Sequence, residues 1–111
     1  MAYDEGLAAR IRDLLQPEPG ITERAMFGGL AFLVDGNMAV TASGQGGAMV
    51  RVDPADAERL VASTPAEPME MRGRPMGGWL RVAGPDLDDD DALEAWVGRG
   101  VATARALPPK G

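Results

Sequence analysis

The chain has 111 residues, enough for one domain with one core. Its composition, 45% hydrophobic and 25% charged with a formal net charge of −6, is that of a folded soluble protein, and the negative balance disfavours non-specific nucleic-acid binding. It contains neither Cys nor His, which excludes disulfides, thiolate nucleophiles, Cys- or His-based metal centres and the usual imidazole general base.

The opening "MAYDEGLAAR" lacks the basic and apolar regions of a signal peptide, and no apolar run approaches the roughly 18 residues of a membrane span. A cytoplasmic protein with no membrane partner is expected. With only five aromatic residues, the core is expected to be built from Leu, Val, Ala and the seven methionines.

The first predicted element is a helix from about Asp4 to Gln16, with Asp4 as N-cap and Leu7, Ile11, Leu14 and Leu15 on one face. Pro17, Pro19 and Gly20 stop it. Leu30 to Val34 alternates as a strand, Asp35-Gly36 signals a tight hairpin turn, and Met38 to Ala42 returns. The polar "SGQGG" from Ser43 to Gly47 turns the chain into a third strand, Met49 to Val52, completing an antiparallel meander.

A short helix follows, with Asp53 as N-cap and Pro54 at its first position, ending at Thr64-Pro65. Pro68 to Arg72 reads as a fourth strand, Gly73 to Gly78 as a connection, and Trp79 to Ala83 as a fifth strand. The last helix spans about Asp89 to Leu107. Its stripe of Leu93, Trp96, Val97, Gly100, Val101 and Ala104 includes a glycine, which points to close contact with the sheet. The order α-β(3)-α-β(2)-α predicts an α+β fold with a mostly antiparallel five-stranded sheet and helices on one face.

Few stretches carry chemistry. Gly28-Gly29 precedes a strand, with no Lys and no helix after it, so a bend at the start of the sheet is favoured over a phosphate cradle. Asp86, Asp88 and Asp90 match the first positions of a calcium loop. Asp91 stands where that loop needs Gly, and Val97 where it needs Glu, so the run is read as dipole-favoured charge at a helix start. Ser43, Ser63 and the threonines have no nucleophile motif around them. Five aspartates between Asp86 and Asp91 carry most of the net charge and leave −1 for the rest, so a local basic face is compatible with the sequence. Arg51, Arg72, Arg74 and Arg81 are its candidates, and "MRGRPMGGW" (Met71 to Trp79) adds Met71, Met76 and Trp79, side chains suited to a protein partner.

"RAMFGGLAFLVDGNMAV" (Arg24 to Val40) and "RPMGGWLRV" (Arg74 to Val82), with "YDEGLAARIRDLL" before and "LEAWVGRGVATARALPPK" after, resemble the TfoX N-terminal domain family over nearly the whole chain. The resemblance implies a single α+β domain over 1–111, similar to secretion-chaperone-like folds. It also implies a link to transcriptional and competence regulation, which in the two-domain members involves a C-terminal domain not expected here. It brings no catalytic residues. The matching motif positions are Met26, Phe27, Gly28 and Gly29 in the first segment and Pro75, Met76, Gly78 and Trp79 in the second. The candidate binding surface is therefore Met26, Phe27, Gly28, Gly29, Met71, Arg72, Arg74, Pro75, Met76, Trp79 and Arg81, with the two segments expected near each other.

The leading expectation is a non-enzymatic regulatory or protein-binding module without catalytic residue, cofactor or metal, with a protein partner or a second copy. One alternative is a nucleic-acid contact through Arg51, Arg72, Arg74 and Arg81. The other is a small-molecule or enzymatic role in a pocket between the last helix and the sheet.

Overall fold

Each of the three helices begins on an aspartate. Asp4 Oδ1 accepts from the Leu7 amide at 3.0 Å, Asp53 Oδ1 from Ala55 at 2.9 Å and Asp89 Oδ2 from Ala92 at 3.1 Å. Each bond satisfies an amide that the first helical turn leaves without a partner. The helices they start are α1 (Glu5–Leu15), α2 (Pro54–Ser63) and α3 (Asp90–Arg105). The computed structural model describes residues 3–26, 28–71 and 73–109, and the side chains of Met71, Pro75 and Met76 lie outside the described set.

The strands are β1 (Ile21–Met26), β2 (Gly29–Val34), β3 (Asn37–Ala42), β4 (Ala48–Arg51), β5 (Glu67–Met71) and β6 (Arg74–Val82). They form one sheet in the order β1-β2-β3-β4-β6-β5, with every pairing antiparallel. The fold is thus α+β with an antiparallel sheet, as the pattern predicts, but with six strands in place of five. The additional strand is β1, "ITERAM". It is an edge strand exposed or half-exposed along its whole length, so it shows no apolar alternation. Six residue pairs with β2, from Ile21–Val34 to Met26–Gly29, define it instead.

The predicted connection from Gly73 to Gly78 also changes character, because β6 already begins at Arg74. Its register against β5 shifts between Pro68 and Glu70, whose partners are Leu80 and Pro75. Four residues of β6 therefore stand opposite Met69 alone. Gly77-Gly78 lies inside this bulge, and the Gly78 carbonyl accepts from the Val52 amide at 2.8 Å. The Asp35-Gly36 turn is as expected, with φ of 51° and 85° at its two central positions.

Strand alternation divides the sheet into two unlike faces. Leu30, Phe32, Val34, Val40, Val50, Leu80 and Val82 join Leu7, Ile11 and Leu15 of α1, Leu60 of α2 and Leu93, Trp96, Val97 and Val101 of α3 in one buried cluster. All three helices therefore pack on the same face. The closest approach is at Gly100 of α3, where a Cβ would lie 2.5 Å from the Ala39 carbonyl oxygen. This is the close contact that a glycine in the apolar stripe implied. The methionines depart from expectation: among the described residues none is in the core, and Met26, Met38, Met49 and Met69 are half-buried. In β4 the reason is phase, since Met49 alternates with Ala48 and Val50. In β3 Met38 has the same parity as Val40 and is turned to the other face by the register shift at Ala39, which sets it opposite Leu33.

The edge strand is tied to α1 by a two-bond ion pair. Arg12 Nε donates to Glu23 Oε2 at 2.6 Å and Nη2 to Oε1 at 2.8 Å. The Arg12 hydrogen bond holds the Glu23 carboxyl below its ordinary value of 4.5, against a smaller opposing effect of burial. A carboxyl that titrates lower when folded adds stability above its ordinary value, and that stability is lost as pH falls through the folded value.

Two outcomes follow from this packing. Gly100→Ala should destabilise the protein by about 1–3 kcal/mol through overpacking, outweighing the roughly 1 kcal/mol that alanine gains in an open helix. Urea unfolding measures it, and a stabilised variant would show that α3 does not lie this close to β3. Glu23→Gln should lower the urea midpoint at neutral pH, and its difference from wild type should shrink as pH falls through the lowered value of the folded carboxyl. A difference that stays constant as the pH falls contradicts the pairing.

Candidate functional site

The second face of the sheet carries none of the helices. Register places Arg24, Ala31, Thr41, Met49, Arg81 and Glu67 in one row across it, from β1 to β5. Ala31, Leu33 and Thr41 on this face are buried, although Ala31 and Leu33 stand outside the helix-side cluster. A neighbouring level holds the cross-strand pair Arg51–Trp79. The Arg51 guanidinium carbon lies 5.4 Å from the indole centroid, and Arg51 Nη1 donates to the Met38 carbonyl at 3.1 Å. Stacking and hydrogen bonding thus hold this arginine along the face.

A cavity of about 330 Å³ opens beside this row. Met26, Met49 and Met69 supply apolar lining, Thr41 and Ser43 small polar side chains, with the Thr41 hydroxyl itself closed off from solvent, and Arg81 and Glu70 charges of opposite sign. Gly29, Gly44 and Gln45 complete the lining. β1 and β5 are the two edges of the sheet, and five flat strand spacings would separate them by about 24 Å. That Met26 and Met69 line one cavity requires the sheet to curl, drawing its edges together over the helix-free face.

Two polar groups at the cavity lack partners. Thr41 Oγ1 is buried with no hydrogen-bond partner among the described residues. Arg81 makes no ion pair among them, even though Glu67 stands opposite it in the sheet. Ser43, by contrast, has a structural bond, its Oγ accepting from the Gln45 amide at 3.1 Å. Among the described residues no group of His, Cys, Asp or Glu could hold a metal ion, and no helix is long and apolar enough to cross a membrane. Among the described residues the pair with displaced titration, Arg12 and Glu23, joins α1 to β1 and does not line this cavity.

The sequence candidates are only partly brought together. Met26, Gly29 and Arg81 line the cavity, and Trp79 pairs with Arg51 at the neighbouring level. Gly28 stands in the turn from β1 into β2, and Gly29 is the first residue of β2. Gly28 takes a φ of 76°, and a Cβ on Gly29 would lie 2.4 Å from the Ala42 carbonyl oxygen. Arg74 is exposed at the first residue of β6. Phe27 and Arg72 lie outside the described residues, as do the side chains of Met71, Pro75 and Met76. Two strands, β3 and β4, separate the two glycine-bearing segments within the sheet, and of the second segment Arg81 lines the cavity that Met26 and Gly29 also line, whereas Gly78 and Trp79 do not. Sequence reasoning passed over Thr41, Met49, Met69 and Glu70. For Thr41 and Met49 the signal was available, because both fall out of phase with the core residues of their strands.

Between α3 and the sheet, where a pocket was one expectation, Trp96, Val97, Gly100 and Val101 are buried in the common core.

The TfoX N-terminal domain family model matches residues 13–104, and the chain belongs to that family. No curated protein and no solved structure matches it.

The orphaned hydroxyl gives a direct expectation. Thr41→Val keeps the shape and removes a buried group without a partner, so stability should rise by about 1 kcal/mol in urea unfolding. A loss of stability would mean that the hydroxyl is hydrogen-bonded in solution.

Proposed function

We propose that this member of the TfoX N-terminal domain family is a non-enzymatic regulatory module of the bacterial cytoplasm. It acts by binding a protein on the helix-free face of its sheet. The observation that carries the reading is the composition of that face. It presents half-buried methionines, which adapt to varied partners, beside Trp79 and three arginines, residue types that dominate binding energies.

Charge selects the partner's chemistry. Arg24, Arg51 and Arg81 share the face with Glu67 and Glu70, a net positive face in a chain whose formal charge is −6. An acidic segment with apolar side chains complements it. A second copy docked face to face would crowd two sets of three arginines into one interface. Edge-to-edge pairing is also disfavoured, because β1 carries exposed Glu23 and Arg24 and β5 carries Pro68. The net charge weighs against nucleic acid. The family's association with transcriptional and competence regulation supports a regulatory role.

Photo-crosslinking in cells tests the proposal. A crosslinking residue at Arg24 or Met38 should give an adduct to an acidic protein segment. One at Glu94 or Ala102, on the outer side of α3, should not. The double change Arg24→Glu and Arg81→Glu should abolish the adduct at Met38 while leaving the thermal midpoint within a few degrees. Adducts mainly from α3, to nucleic acid or only to second copies of the chain would overturn the reading.

A further inference from the structure

We infer that the cavity on the helix-free face is a binding site for a small amphipathic monocarboxylate, whose carboxylate is held by Arg81 and Thr41 and whose apolar chain lies among Met26, Met49 and Met69. This goes beyond protein docking, because the site belongs to the isolated chain whether or not a partner covers the face.

Two independent observations at the cavity point to an anionic acceptor. Thr41 carries a hydroxyl that is buried and has no partner among the described residues. An unmet donor of this kind costs stability unless something returns to satisfy it. Arg81 lines the same cavity, with five donors and no ion pair among those residues. A carboxylate oxygen accepts from both, and a guanidinium takes a carboxylate in a two-bond fork. Register sets Thr41 and Arg81 in one row on either side of Met49, so an anion between them rests over the Met49 side chain.

The remaining lining sets the rest of the ligand. Three methionine side chains make the walls apolar and adjustable. The Thr41 hydroxyl is closed off from solvent, so ligand binding requires a neighbouring side chain to turn aside, a movement that unbranched thioethers make readily. Glu70 contributes a negative charge to the lining and disfavours a doubly charged anion such as phosphate. The volume of about 330 Å³ is at the small end for ligand sites and holds about eleven water-sized groups. A straight-chain acid of octanoate size fits that volume.

Octanoate titrated into the isolated protein, followed by the methyl NMR signals of labelled methionine, tests the site. Saturable shifts should appear at Met26, Met49 and Met69 and be smaller at Met38. Octanamide and inorganic phosphate should bind at least tenfold more weakly. Arg81→Gln and Thr41→Val should each weaken octanoate at least tenfold, whereas Met38→Leu, on the same face, should leave the affinity unchanged. Unfolding midpoints of all three variants establish that they are folded. Absence of saturable shifts, octanamide binding as well as octanoate, or equal affinity in folded Arg81→Gln and Thr41→Val would overturn the inference. Any of these results leaves the crosslinking reading standing, since that measurement needs no small ligand.

Discussion

The contact between Gly100 and the Ala39 carbonyl fixes the arrangement of the whole molecule. A side chain at that position would stand 2.5 Å from the oxygen, so only a bare backbone lets α3 settle onto β3. Once seated there, α3 brings Trp96, Val97 and Val101 into the cluster that also receives α1 and α2. All helical cover is then on one side. The opposite side holds buried positions of its own, Ala31, Leu33 and Thr41, with no helix above them, and the curl of the strands draws Met26 and Met69 to one cavity there. The cavity is a consequence of that curl.

The surface that results combines a fixed floor with adjustable walls. The floor is backbone-paired sheet, and Gly29 lies against the Ala42 carbonyl so closely that no side chain can intervene. Arg51 is fixed by its stack on Trp79 and its bond to the Met38 carbonyl. The methionines are the adjustable part. A rigid frame bearing flexible apolar groups and oriented cations suits recognition, because little order has to be imposed when a partner arrives. The edges point the same way. Charge on β1 and a proline on β5 discourage strand addition and leave the face as the open surface.

Much of the fold is legible in the sequence because it rests on local chemistry. Asp4, Asp53 and Asp89 announce the helix starts, Asp35-Gly36 announces a turn that needs positive φ, and Gly100 in an apolar stripe announces a close contact. What stays hidden depends on pairing at long range. β1 has no apolar phase of its own and exists through its register with β2. The glycines of "RPMGG" read as a connection because a bulge inside β6 shows only when Pro68, Met69 and Glu70 are set against it. The site is less legible still. Thr41 is one threonine among several in the sequence, and its missing partner appears only once β3 is set between β2 and β4 and its hydroxyl is buried. The methionines look like core by composition; strand phase places Met49 on the other face, and Met38 reaches it through the register shift at Ala39.

The cavity exists only if the sheet curls its two edges together over the helix-free face. The absence of cysteine makes the chain suited to paired spin labels at Met26→Cys and Met69→Cys, one on each edge strand. Electron–electron resonance should give a separation well below the about 24 Å that five flat strand spacings produce. A separation of that size or greater would contradict the curl, and with it the cavity.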